Sequence, residues 1–161
     1  MIQVKQRQNY WLLAGLIIGI ELLGMLSSIL SGDVRGIYES LTLPPLSPPG
    51  QLFGIVWPAL YLLVAISGYL ISMAVQPKSV KRPQLIWYGL QLVVNFGWSI
   101  IFFGAQMYWL GFLMTIVMDL LVIGCLIRFY PTSRAAAWLL VPYLAWLLFA
   151  TYLAGGVALL N

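Results

Sequence analysis

The sequence has no histidine, one cysteine and four acidic side chains in 161 residues. Without histidine there is no Ser-His-Asp or Cys-His arrangement, no imidazole base and no imidazole ligand for a metal or haem iron. The lone Cys125 excludes an intramolecular disulfide framework and a thiolate metal cluster. Charged residues make up 7% of the chain, where soluble domains carry about 25%. That leaves no polar surface with which to cover a soluble core. No Walker A motif, dinucleotide-binding glycine fingerprint or filter-like repeat is present.

Apolar side chains dominate instead. They are 62% of the residues, and the mean hydropathy is +0.96. Five runs are long enough to cross a bilayer, at about 10–30, 51–73, 85–103, 109–129 and 135–160. The expectation is an all-α integral membrane protein, a five-transmembrane-helix bundle forming one domain over residues 1–161. The first run is too long for a signal-peptide core and reads as a retained span. Five spans do not divide into the two halves usual in secondary transporters.

The formal charge is +4, but the basic residues fall in short connections. Lys5, Arg7, Lys78, Lys81, Arg82, Arg128 and Arg134 share one side of the five-span layout, and only Arg35 lies on the other. This asymmetry explains the charge as orientation, with the lipid bilayer and not nucleic acid as partner. It places the N-terminus in the cytoplasm and favours an inner or plasma membrane over an outer or organelle membrane. Tyr10-Trp11, Trp87-Tyr88, Tyr108-Trp109, Tyr130 and Trp138 sit near span ends as interfacial anchors.

The first long connection, residues 31–50, is proline-dense at its end. Pro44, Pro45, Pro48 and Pro49 cannot be ordinary helix interior, and Gly50 frees the backbone again. Phe53, Trp57 and Tyr61 then recur at i, i+4 and i+8. The stretch reads either as a capped span with a packed aromatic stripe or as a lid leading into a ligand-cavity wall. Gln91, Asn95, Trp98 and Phe102 share a face of the third span, and Tyr143, Trp146 and Ala150 share one in the fifth. Amides among large aromatics suit a cavity for a big, flat, sparsely polar ligand; the same pattern also suits a packed helix interface. Glu21 and Asp119 are intramembrane carboxylates that need a partner, a proton or a polar cavity. Gly15 and Gly19 have GxxxG spacing, which permits close helix contact.

These segments together resemble the TspO/MBR family, the translocator or peripheral-type benzodiazepine receptor family. The resemblance covers about residues 38–161. It rests on Tyr38-x-x-Leu41, Pro44, Pro48-Pro49-Gly50, Phe53-Gly54-x-x-Trp57-x-x-Leu60-Tyr61, Asn95-x-x-Trp98-Ser99-x-x-Phe102, Asp119 and the run from Ala137-Trp138 through Pro142-Tyr143 and Trp146-x-x-Phe149-Ala150-Thr151-Tyr152-Leu153. It implies five transmembrane helices, a homodimer and a pocket closed by the first connection. The implied ligands are porphyrins and haem-related tetrapyrroles, sterols and synthetic isoquinolines or benzodiazepines, with no required cofactor and no metal site. Tyr38, Trp57, Asn95, Trp98, Trp146, Phe149 and Ala150 would contact or frame the pocket. The residue pattern adds Tyr61, Gln91, Phe102 and Tyr143 to that candidate set, with Pro44, Pro48, Pro49 and Gly50 in the lid.

Trp57 and Trp146 match tryptophans linked to light- and oxygen-dependent porphyrin degradation, so a degradative enzyme stands beside the carrier or sensor reading. A non-catalytic membrane scaffold is the third. Leu46 and Ala154 depart from the family pattern, while Asn161 retains a later family-like asparagine. The C-terminal cholesterol motif of animal members is absent. Leu126, Tyr130 and Arg134 match a loose form of it at the preceding connection.

Overall fold

The computed structural model describes residues 9–161. Lys5 and Arg7, and their part in the charge partition, lie outside the described residues. Helix α1 spans Tyr10–Leu30 and starts where the Asn9 side chain accepts a bond from the Leu12 amide at 3.1 Å. Gly32, at φ 80°, turns the chain out of it. A short helix, α2 (Val34–Ser40), then forms inside the long connection, capped by the Asp33 carboxylate on the Gly36 amide at 3.0 Å. The prolines hold the chain extended until a 3₁₀ turn at Gly50–Leu52 feeds α3 (Phe53–Met73).

Helix α4 covers Lys78–Ser99, beginning seven residues before the apolar run expected from position 85. Its first turns are polar, and the Pro83 ring lies in them, where Ser79, whose carbonyl it strands, is exposed. The apolar run marks only the part of the helix inside the membrane. At its far end the helix widens into a π-helical turn over Ile100–Gly104, closed by the Ala105 amide on the Ile100 carbonyl at 2.8 Å. This widening lets two consecutive residues, Phe102 and Phe103, both turn inward. Helices α5 (Tyr108–Phe129) and α6 (Arg134–Leu160) follow.

Five helices are therefore long and apolar enough to cross a membrane. Contacts run around a ring in the order α1, α3, α6, α5, α4, with α4 also touching α3 across the middle. Large apolar side chains face outward on every span, including Leu22, Ile55, Val93, Leu120 and Leu148, as a lipid-facing surface requires.

In lipid, apolar area alone does not drive helices together. Close packing and interhelical hydrogen bonds do. Gly68 lies against the Tyr88 ring and Gly124 against the Trp87 ring, so any Cβ there would collide. The Tyr88 hydroxyl donates to the Val64 carbonyl at 2.9 Å, and the Ser67 hydroxyl donates to the Ala136 carbonyl at 2.8 Å. Helix α1 is the least embedded, burying only Ile20 and Ser27. It is fastened by Ser27 on the Phe96 carbonyl at 2.5 Å and Ser31 on Ser99 at 2.8 Å. At the opposite end, Gln76, Gln84 and Thr132 form a hydrogen-bonded cluster that ties the α3–α4 and α5–α6 connections together.

Candidate functional site

The polar members of the candidate set meet where α3, α4 and α6 converge. The Tyr61 hydroxyl donates to Asn95 Oδ1 at 2.8 Å. Asn95 Nδ2 donates to the Tyr143 hydroxyl at 2.9 Å, which donates in turn to Gln91 Oε1 at 2.9 Å. Tyr143 is 0% exposed, Gln91 1% and Asn95 4%, so water does not share these bonds. The i, i+4 spacing of Gln91 and Asn95 presents both amides to one oxygen. Pro142 frees the carbonyl of Trp138 one turn before this point without breaking α6.

Two donors in this region lack acceptors: Gln91 Nε2 and Trp146 Nε1 are both buried with no hydrogen-bond partner among the described residues. Trp146 lies one turn beyond Tyr143 on α6. Its ring meets Phe53 edge-on at 5.9 Å and Phe149 at 5.6 Å. Phe53 in turn meets Tyr38 at 5.1 Å, and Phe149 stacks on Tyr152 at 6.2 Å. A continuous aromatic string thus joins the connection, α3 and α6. Trp57 packs on Tyr61 at 5.4 Å and continues the α3 wall. Ala150 is half-buried on α6.

Trp98 and Phe102 sit at one edge. Their rings stack at 4.9 Å, and the Trp98 indole donates to the Gly111 carbonyl at 3.0 Å. Phe102 is buried between Trp98, Phe103 and Tyr108. Together with Tyr38, Ala154 and Val157 these rings form a second core beneath the connection. The small Ala154 fits inside it, at 1% exposure.

The connection itself is strapped to α6. Pro44 rests on Gly156, where a Cβ would collide with the proline ring. The Tyr152 hydroxyl donates to the Pro45 carbonyl at 2.7 Å. Asn161 makes a two-way bond with the Thr42 backbone, accepting from its amide at 2.9 Å and donating to its carbonyl at 2.9 Å. Within the strap, the Tyr38 hydroxyl donates to the Pro48 carbonyl at 2.8 Å, and its ring lies by Gly50. Burial pushes the Tyr38 phenol above the usual tyrosine range, with the Ser47 hydroxyl opposing the shift. It therefore remains a neutral donor at physiological pH. Leu46 marks the exposed tip, at φ 67°, a left-handed conformation that costs a non-glycine residue about 1 kcal/mol.

The carboxylates separate from this site. Asp119 is 7% exposed and accepts from Thr151 at 2.7 Å, while its other oxygen has no partner among the described residues. Glu21 is half-buried on α1 and makes no hydrogen bond or ion pair among the described residues. Gly15 and Gly19 have open space before them. No group of three potential metal ligands occurs among the described residues.

Most of the converging side chains were legible in the sequence, where Tyr152 stood in the family motif without a role of its own. Phe53, the ring that bridges the strap to Trp146, stood outside the candidate set. The i, i+4 relation of Phe53 to Trp57 was the available signal. Nothing local could pair Asn161 with Thr42, 119 residues away.

Two open grooves, of about 320 and 430 Å³, lie on the outside of the bundle, and neither includes a candidate ligand-binding residue. In the site the rings and amides touch one another.

Comparison with known proteins adds a second line of support. The model of the TspO/MBR family matches residues 14–160. The Tryptophan-rich protein TspO of Archaeoglobus fulgidus is 34% identical over 154 residues, covering 95% of this chain and 99% of that protein. The human Translocator protein is 35% identical over 135 residues, covering 79% and 76%. Protein CrtK of Rhodobacter capsulatus is 31% identical over 124 residues, covering 77% and 78%. With five membrane-length helices and the family's motifs in order along them, this chain belongs to the TspO/MBR family.

Proposed function

We propose that the protein binds porphyrin or haem-related tetrapyrroles, and other flat hydrophobic ligands, beneath the strap between α3, α4 and α6, and acts as their carrier or sensor. The observation that carries this reading is the pair of buried donors without acceptors, Gln91 Nε2 and Trp146 Nε1. An unpaired buried donor costs about 1–3 kcal/mol, and a ligand with an acceptor on its edge recovers that cost. The neighbouring rings of Phe53, Trp57 and Phe149 supply flat apolar walls for the rest of such a molecule.

Admission of a ligand has to part rings that now touch. Opening the Tyr38–Phe53 and Phe53–Trp146 edge contacts costs about 0.5–1.5 kcal/mol each. A micromolar ligand binds with about 8 kcal/mol, so the ring contacts do not forbid binding. The name Translocator protein, borne by the human relative, supports the carrier side of the reading.

The test is a porphyrin fluorescence titration of purified protein in detergent and in lipid nanodiscs. Trp146→Phe keeps a ring but removes the donor, and should weaken binding by about tenfold if one charge-neutral hydrogen bond is lost. Trp57→Ala should weaken it through loss of the wall. Unchanged saturable affinity in both folded variants would refute the pocket. Absence of saturable binding, with strong destabilisation by both substitutions, would make the aromatic stripe a packing core.

A further inference from the structure

The groove of about 430 Å³ lies away from the ligand site, at the hairpin where α5 ends and α6 begins, and is lined by Leu126, Ile127, Tyr130, Ala137, Trp138 and Val141. Its walls are almost wholly apolar, and its rim is aromatic. Tyr130 is 47% exposed and Trp138 63%, which is the amphipathic edge found at the headgroup level of a bilayer. Over this rim stands Arg134, whose guanidinium lies 5.4 Å from the Tyr130 ring centre. Arg134 is exposed and has no carboxylate partner among the described residues. The positive end of the α6 macrodipole lies at the same turn.

The surroundings have one sign of charge. Lys78, Lys81, Arg82, Arg128 and Arg134 lie at this end of the bundle. Asp33 caps α2 and Glu39 lies within it at the other end, and Glu21 and Asp119 lie within spans. Arg128 is engaged elsewhere, 3.9 Å over the Trp87 ring and bonded to the Gly124 carbonyl. Of the two arginines at this hairpin, Arg134 is the one whose guanidinium stands at the groove's rim.

We propose that this groove holds an anionic phospholipid of the surrounding leaflet, one acyl chain lying along Ile127, Ala137 and Val141 and the phosphate at Arg134. An apolar slot topped by an exposed cation with no carboxylate partner among the described residues selects both halves of such a lipid. A basic residue near a membrane surface contributes about a fivefold preference for an anionic over a zwitterionic lipid.

The experiment is native mass spectrometry of the delipidated full-length protein in detergent, titrated with phosphatidylglycerol or phosphatidylcholine of the same acyl chains. The wild type should retain phosphatidylglycerol about fivefold better. Arg134→Gln should bring the two lipids to parity. Lys78→Gln removes the same charge from an exposed site on α4 and should leave the preference intact. Val141→Trp fills the slot and should reduce retention of both lipids; Ile127→Trp repeats this from the other wall should the first variant elute as aggregate. No preference in the wild type overturns the proposal. Equal loss in Arg134→Gln and Lys78→Gln also overturns it, because the selectivity then belongs to the whole basic belt. Displacement of phosphatidylglycerol by cholesterol at equal concentration would make the slot a sterol site and overturn it likewise.

Discussion

Tyr143→Phe removes one oxygen and no packing volume, yet that oxygen both accepts from Asn95 and donates to Gln91, each at 2.9 Å. With all three side chains buried, two groups lose their partner at once. Left unpaired at about 1–3 kcal/mol each, they would together cost more than a typical interhelical bond in a membrane, which averages about 0.6 kcal/mol. Neither figure applies unchanged. The membrane average is low because an unfolded helix finds other partners, and here the site is closed to water and lipid. The upper figure is too high because Gln91 and Asn95 are one turn apart on one face, so their amides can turn toward each other and recover one bond.

The expected loss is therefore about 2 kcal/mol, a fall in Tm of about 4–8 °C for a chain of this size. Thermal unfolding in detergent, followed by circular dichroism, measures it. Gln91→Met in the Tyr143→Phe background removes the stranded amide and should recover about half of the loss. A Tm within a degree of wild type for Tyr143→Phe, or a double variant that is merely additive, would refute the buried chain of bonds.

Two further outcomes follow from the packing. Asn161→Ala cuts both bonds between the C-terminus and Thr42; these are exposed, so the strap should loosen by about 1 kcal/mol. Amide hydrogen exchange over residues 41–46 should rise about fivefold with little change in Tm, and unchanged exchange would show that Pro44 and Tyr152 hold the strap alone. Gly68→Ala drives a methyl into the Tyr88 ring, which its bond to Val64 holds in place. A destabilisation of about 1–3 kcal/mol is expected, and a neutral result in the same unfolding assay would mean that α3 and α4 separate freely.

The sequence by itself determined the solvent, the span count and the family. Lipid imposes these through composition: each span must be about 20 predominantly apolar residues long with few charges, so Tyr10–Leu30 and Tyr108–Phe129 are legible as runs despite Glu21 and Asp119. It also exposed the amide–aromatic faces, because helical spacing places Gln91 with Asn95 and Tyr143 with Trp146. It could not show that the amides bond to Tyr61 and Tyr143, that Phe102 packs beneath Trp98, or that Trp146 keeps an unpaired donor. Those outcomes depend on which faces meet, and every span is apolar on several sides. The polar start of α4 was hidden because hydropathy marks the membrane and not the helix end. The strap's attachment to Tyr152, Gly156 and Asn161 was hidden because those partners lie more than a hundred residues away. Tertiary structure decided these points, since interhelical packing and hydrogen bonding choose partners by geometry that no local pattern encodes.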